Sequence, residues 1–238
     1  MKLLTLDIGN TRIKWGLHTT NGWLQRGVEQ HDFFAIQQHL SMQPDYVIAS
    51  NVRRHLASET WRAPWSRLPC HAVYACAQQC GVRNGYQQPQ QLGSDRWAAL
   101  IGAHSMGAHH AIIANAGTAL TIDALHEGDF LGGTIAPGYF LMQHALTGHT
   151  ALSAQPHLDC NAIFPNNTAE AIARGCCNAM IDSIVAQQQR FARQTNTVPG
   201  LWLSGGDADL LFHKLPAARI EPWLVLEGLY RIAQEIFA

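Results

Sequence analysis

Leu6-Asp7-Ile8-Gly9-Asn10-Thr11, and half a chain later Ala114-Asn115-Ala116-Gly117-Thr118-Ala119, decide how this sequence is read. Each stretch follows an apolar β run, Leu3 to Leu6 in the first case and Ala111 to Ala114 in the second. Each is followed by a second β run, Arg12 to Leu17 and Ala119 to Leu125, and then by a turn and a third run at Trp23-Leu24 and Phe130-Leu131. Alternating Ile13, Trp15 and Leu17 mark the second run as a half-buried strand, and Asn21-Gly22 is a strong hairpin turn. A strand–turn–strand unit that recurs once at this spacing predicts two similar lobes, 1–110 and 111–238, rather than a short-period solenoid.

The rest of the chain alternates helix and strand. Helical spacing covers Phe33 to Leu40, Arg53 to Trp61, Asp95 to Met106, Met142 to Leu152, Thr168 to Thr195 and Leu224 to Phe237; short strands fall at 46–49, 71–74 and 201–203. The expected class is α/β. No low-complexity linker separates the halves.

Composition narrows the function. Sixteen Lys and Arg meet seventeen Asp and Glu in 238 residues, a formal charge of −1, so there is no basic field for a nucleic-acid backbone. No stretch reaches the ~18 apolar residues of a membrane helix, and the start lacks the apolar run of a secretory signal, so a cytoplasmic protein without a membrane partner is expected. The six cysteines, Cys70, Cys76, Cys80, Cys160, Cys176 and Cys177, form no Cys-x-x-Cys and are expected to be reduced. His104, His109 and His110, and His144 and His149, have no cysteine or carboxylate at zinc spacing, which favours core or surface roles.

Three glycine elements carry candidate chemistry. Gly9 lets backbone N–H groups approach an anion, Asn10 and Thr11 add donors, Lys14 adds a cation, and Asp7 at the strand end can hold a water on Mg²⁺. An ordinary hairpin turn explains the same residues. The partner turn at Gly117-Thr118 and the strand-to-helix turn Ser204-Gly205-Gly206-Asp207 make the set resemble the two-lobed nucleotide sites of actin, hexokinase and Hsp70; no P-loop occurs. Gly93-Ser94-Asp95-Arg96 opens a helix. Asp95 can accept a proton from an attacking hydroxyl and Arg96 can hold an anionic substrate, although a helix cap followed by a surface Arg reads the same way.

These stretches, in order, resemble the type III pantothenate kinases, the family that includes the Bvg accessory factors. The likeness runs through 6–16, Gly-Val-Arg-Asn-Gly-Tyr at 81–86, Gly-Ser-Asp-Arg-Trp-Ala-Ala-Leu at 93–100, Gly-Thr-Ala-Leu-Thr-Ile-Asp at 117–123, Leu-Gly-Gly-Thr-Ile-Ala-Pro-Gly at 131–138, 168–172 and 204–207. It implies a duplicated ribonuclease-H-like fold with a nucleotide cleft, a homodimer, and ATP-dependent phosphorylation of pantothenate, the first step toward coenzyme A. By motif position Asp7, Ile8, Gly9, Asn10, Thr11, Arg12, Ile13 and Lys14 would line the phosphates of ATP with its Mg²⁺, and Thr118 would touch the nucleotide. Asp95 would be the general base, with Tyr86, Gly93, Ser94, Arg96 and Thr168 around pantothenate. The family also uses a monovalent cation, K⁺ or NH₄⁺. Many members place Asp two residues before the Gly-Thr-Ala turn to serve that cation, where this chain has Asn115, which keeps an oxygen but loses the charge. Two rival readings are a nucleotide-binding accessory protein that transfers nothing and a kinase of the same fold for another hydroxylated substrate.

Overall fold

The computed structural model describes residues 1–53, 55–148 and 163–237. The chain forms two compact units. The first comprises Met1–Ala108, Gly128–Leu131 and Trp223–Ala238, and the second His109–Glu127 and Gly132–Pro222.

In the first unit, β1 (Leu3–Ile8), β2 (Ile13–Thr19) and β3 (Gly22–Glu29) form the antiparallel start expected from the sequence. α1 (Phe33–His39) leads to β4 (Tyr46–Asn51), parallel to β1, and α2 (Ser58–Arg62) leads to β5 (Cys70–Ala72), parallel to β4. The sheet order is β3-β2-β1-β4-β5. A two-strand ribbon, β6 (Gln78–Gln79) and β7 (Val82–Asn84), precedes α3 (Ser94–Ser105). Leu4, Leu6, Ile8, Trp15, Ile36, Val47, Trp61 and Trp65 are buried in one cluster, which is why the central strands read as almost continuously apolar.

The second unit repeats the pattern. β8 (His110–Ala116) pairs antiparallel with β9 (Ala119–His126), and β10 (Asp129–Pro137) follows at β9. After α4 (Tyr139–Gly148) and α5 (Thr168–Thr195), β11 (Gly200–Ser204) lies parallel to β8; α6 (Ala208–Phe212) leads to β12 (Ala218–Ile220), parallel to β11. The order β10-β9-β8-β11-β12 is the same as that of the first sheet. The sequence recurrence is therefore a recurrence of topology. α7 (Leu224–Ile236) belongs to the first unit, where it packs on α3 and against β1, β2 and β4.

One predicted helix is shorter than expected. Among the described residues of Arg53 to Trp61, only those from Ser58 are helical. Asn51 Oδ1 accepts from the Arg53 N–H at 3.0 Å, forming a local turn that competes with a helix at this point. The sequence-predicted helix at Met142 to Leu152 begins earlier, at Tyr139, and its residues 149–152 lie outside the described residues. Among the described residues no helix is long and apolar enough to cross a membrane, and the described cysteines are free thiols. His18 is a core histidine, 2% exposed and stacked on Tyr230; burial, then Arg26, lowers its pKa to about 3.

Candidate active site

The site in the first unit grows from the register of three strands. Asp7 on β1 sits opposite Lys14 on β2 and beside Ser50 on β4. The intervening turn is closed by the Gly9 N–H donating to Arg12 O at 3.2 Å, and Asn10, Thr11 and Arg12 are exposed while Ile8 and Ile13 are core. Ser50 Oγ lies 2.8 Å from Ser94 Oγ in a buried contact, which ties the first turn of α3 to β4. That tie brings Asp95 into electrostatic contact with Asp7.

Gly93 leaves room for the Asp95 carboxyl. A Cβ on it would stand 2.6 Å from Asp95 Oδ1. Asp95 accepts from the Arg96 N–H at 2.8 Å. Burial raises its pKa, opposed by that hydrogen bond and by the Arg96 charge. Asp7 is pushed up to about 7, first by burial and then by Asp95, against the pull of Lys14. Burial lowers Lys14, which Asp7 opposes. Two carboxyl groups and the Lys14 ammonium thus lie within electrostatic reach of one another, with the Arg96 charge acting on Asp95 and the Arg12 charge on Lys14. Such a donor set fits a divalent cation accompanying a polyphosphate.

Beside it stands an aromatic wall. Arg96, 5% exposed, donates from Nη1 to the Tyr86 hydroxyl at 2.9 Å, and its guanidinium lies 5.7 Å from the Tyr86 ring and 5.8 Å from the Phe130 ring. Tyr86 is placed by its own N–H donating to Asn84 Oδ1 at 3.0 Å. The structure therefore brings Asp7, Lys14, Tyr86, Gly93, Ser94, Asp95 and Arg96 together, with Ser94 facing inward to Ser50. Two participants escape sequence reading. Trp223 lies with its ring centre 5.8 Å from Lys14 Nζ and 5.3 Å from the Arg26 guanidinium, and Phe130 backs Arg96. No local motif marks them; they arrive from distant parts of the chain.

In the second unit, Thr118 is exposed in the turn between β8 and β9, where its carbonyl accepts from the Gly138 N–H at 3.0 Å. Asn115 is partly buried near the end of β8. Gly205, at φ 97°, passes so close that a Cβ would stand 2.6 Å from Asn115 Oδ1, and the Asp207 N–H donates to Ala116 O at 2.9 Å. The second and third glycine elements are thus braced against each other. Thr168, exposed, is the first residue of α5, which is capped by Asn167 Oδ1 accepting from the Glu170 N–H at 2.9 Å. It lines a mainly apolar groove of about 570 Å³ beside α4 and α5.

Two units of one strand order, a glycine turn at each leading hairpin and a half-buried acid opening a helix define the class of actin- and hexokinase-type folds. Solved structures agree at the level of fold. A Baf family protein from Campylobacter jejuni aligns with a TM-score of 0.64 at 20% identity over 98% of both chains. A ROK hexokinase from Thermus thermophilus aligns at 0.54 and 12%, over 100% of this chain and 99% of the other. Sequence is more specific. Residues 3–190 match the family pattern described as type III pantothenate kinase. Proteins of that name from Nitrosospira multiformis and Laribacter hongkongensis are each 39% identical over 98% of this chain, spanning 91% and 98% of their own lengths. The chain belongs to the type III pantothenate kinase family.

Proposed function

We propose that this protein transfers the γ-phosphoryl group of ATP to the hydroxyl of pantothenate, giving 4′-phosphopantothenate for coenzyme A synthesis. The observation that carries the reading is the half-buried, electrostatically coupled pair Asp7 and Asp95 beside Lys14, with Arg96 against Tyr86 next to it. Phosphoryl transfer demands little covalent chemistry from a protein; it demands positioning and charge stabilisation.

Asp95 takes the proton of the attacking hydroxyl. Its raised pKa makes it a stronger base than an ordinary carboxylate, and its place in the first turn of α3 holds it still. Arg96, with its ring partners, faces the anionic end of pantothenate, and Tyr86, Gly93, Ser94 and Thr168 are the other residues of that subsite. The turn from Asp7 to Lys14 receives the phosphates, and Thr118 contributes a nucleotide contact. Mg²⁺ would be held by Asp7 through water and would offset charge on the phosphates. A monovalent cation, K⁺ or NH₄⁺, is assigned to Asn115, with weaker binding than a carboxylate would give. The protein acts in the cytoplasm as a homodimer.

Incubation with ATP and pantothenate, followed by mass spectrometry, tests the substrate. The expected product is pantothenate plus one phosphoryl group. ATP consumption with pantothenate recovered unchanged would overturn the assignment.

A further inference from the structure

Chain spacing argues against a histidine metal site, yet the fold pairs two histidines that sequence proximity does not. His110 opens β8 and His126 closes β9; they are direct cross-strand partners, with Nδ1 to Nδ1 at 3.0 Å. The other nitrogen of His110, Nε2, lies 2.8 Å from Glu127 Oε1. Glu127 reaches it from a strained position. Its φ is 51°, followed by Gly128 at 81°, and its N–H donates to His109 O at 2.7 Å. A two-residue turn with positive φ at both positions ordinarily takes Asn, Asp or Gly. A glutamate there bears a backbone cost, and strain of this kind points toward a role for the side chain.

We propose that His110 and His126 form a binding site for a divalent d-block cation, Cu²⁺ or Ni²⁺ ahead of Zn²⁺, with Glu127 orienting His110 from behind. The 3.0 Å contact is a hydrogen bond between the two Nδ1 atoms, and an ion bound here takes the place of the shared proton, which passes to Nε2 of His126. Metal–imidazole bonds of about 2.0–2.1 Å hold two nitrogens about 3.0 Å apart at a right angle and about 3.4 Å apart in a tetrahedron, so the pair reaches either shell with a small side-chain adjustment, and the affinity order of nitrogen ligands favours Cu²⁺. A carboxylate on the far nitrogen holds the proton at Nε2 and leaves the Nδ1 lone pair for the metal. The His126 ring is fixed edge-on against Phe191 at 5.7 Å. The His110 side chain is 32% exposed, so an ion can enter. Glu127 lies on the opposite nitrogen and is not a ligand. Among the described residues no group of three or more His, Cys, Asp or Glu is placed to hold a metal ion, so water completes the shell and binding is weaker than at a structural zinc site. The site is independent of the kinase reading.

Untagged full-length protein titrated with CuCl₂, with the bound ion followed by electron paramagnetic resonance, tests the inference. The expected result is one ion per chain bearing two imidazole nitrogens. His126→Asn should weaken binding at least about tenfold, and Glu127→Gln by about tenfold through loss of the orienting carboxylate. Unchanged affinity in His126→Asn would overturn the site, and unchanged affinity in Glu127→Gln would overturn the part given to the carboxylate. Imidazole ¹⁵N spectra of the wild-type protein need no variant. Zn²⁺ should shift Nδ1 of both His110 and His126, and shifts confined to other histidines would refute the assignment.

Discussion

Asp7 is costly to the folded chain without ligand, and the cost has a sign that can be measured. Folding raises its pKa from 3.8 to about 7. Between those values the folded state binds a proton that the unfolded state has released, so this contribution to stability is greatest below pH 4 and is lost as pH rises through 7. Asp7→Asn removes the effect. Thermal melts should show the ligand-free variant above wild type at pH 8, by a few kcal/mol at most, with the gap closing toward pH 4. The same variant should lose MgATP-dependent turnover. A variant that melts lower than wild type at pH 8 would mark Asp7 as a structural turn residue instead. Lys14 gives a second prediction. Trp223→Leu removes the ring beneath its ammonium, a contact of about 0.5–1 kcal/mol, and should raise KM for MgATP about two- to fivefold while leaving kcat near wild type; Trp223→Phe should restore most of it. Asp7, Lys14 and Asp95 were legible because each sits in a contiguous motif whose turn and helix start are local. Trp223 and Phe130 were not, because their roles depend on how distant segments pack.

Strands and helices were legible wherever hydrophobic period and turn chemistry agreed. Thr168–Thr195 is predicted and found as one helix because Ile172, Cys176, Met180, Ile184 and Phe191 keep its spacing and Asn167 caps it. The segment after Asn51 misled because its side-chain turn outcompeted helical periodicity. The seat of α7 on α3 has no signature in chain order. It rests on close backbone approach: a Cβ on Gly228 would run into the Ala98 carbonyl, and one on Gly102 would meet the Gly228 N at 3.0 Å. Gly228→Ala should therefore destabilise the first unit by about 1–3 kcal/mol, despite the better helix propensity of alanine. Denaturant titration reads this directly, and an unchanged midpoint would show that the two helices separate at little cost.

At the scale of the molecule, one strand order used twice turns a weak pair of six-residue stretches into a fold assignment. Assembly is the next test at this scale. Leu146 is exposed beside the groove lined by Ala171, Ile172 and Gly175, an apolar surface suited to a second copy. Light scattering at micromolar concentration should give twice the chain mass, and Leu146→Glu should shift it toward the monomer; a wild-type monomer would refute the dimer. Coupled ADP release with and without pantothenate tests whether Asp95 is the base that drives phosphoryl transfer to pantothenate. ADP release should depend on pantothenate and fall about 10²- to 10⁴-fold in folded, ATP-binding Asp95→Asn. Release indifferent to pantothenate, or near-normal turnover in that variant, would contradict it.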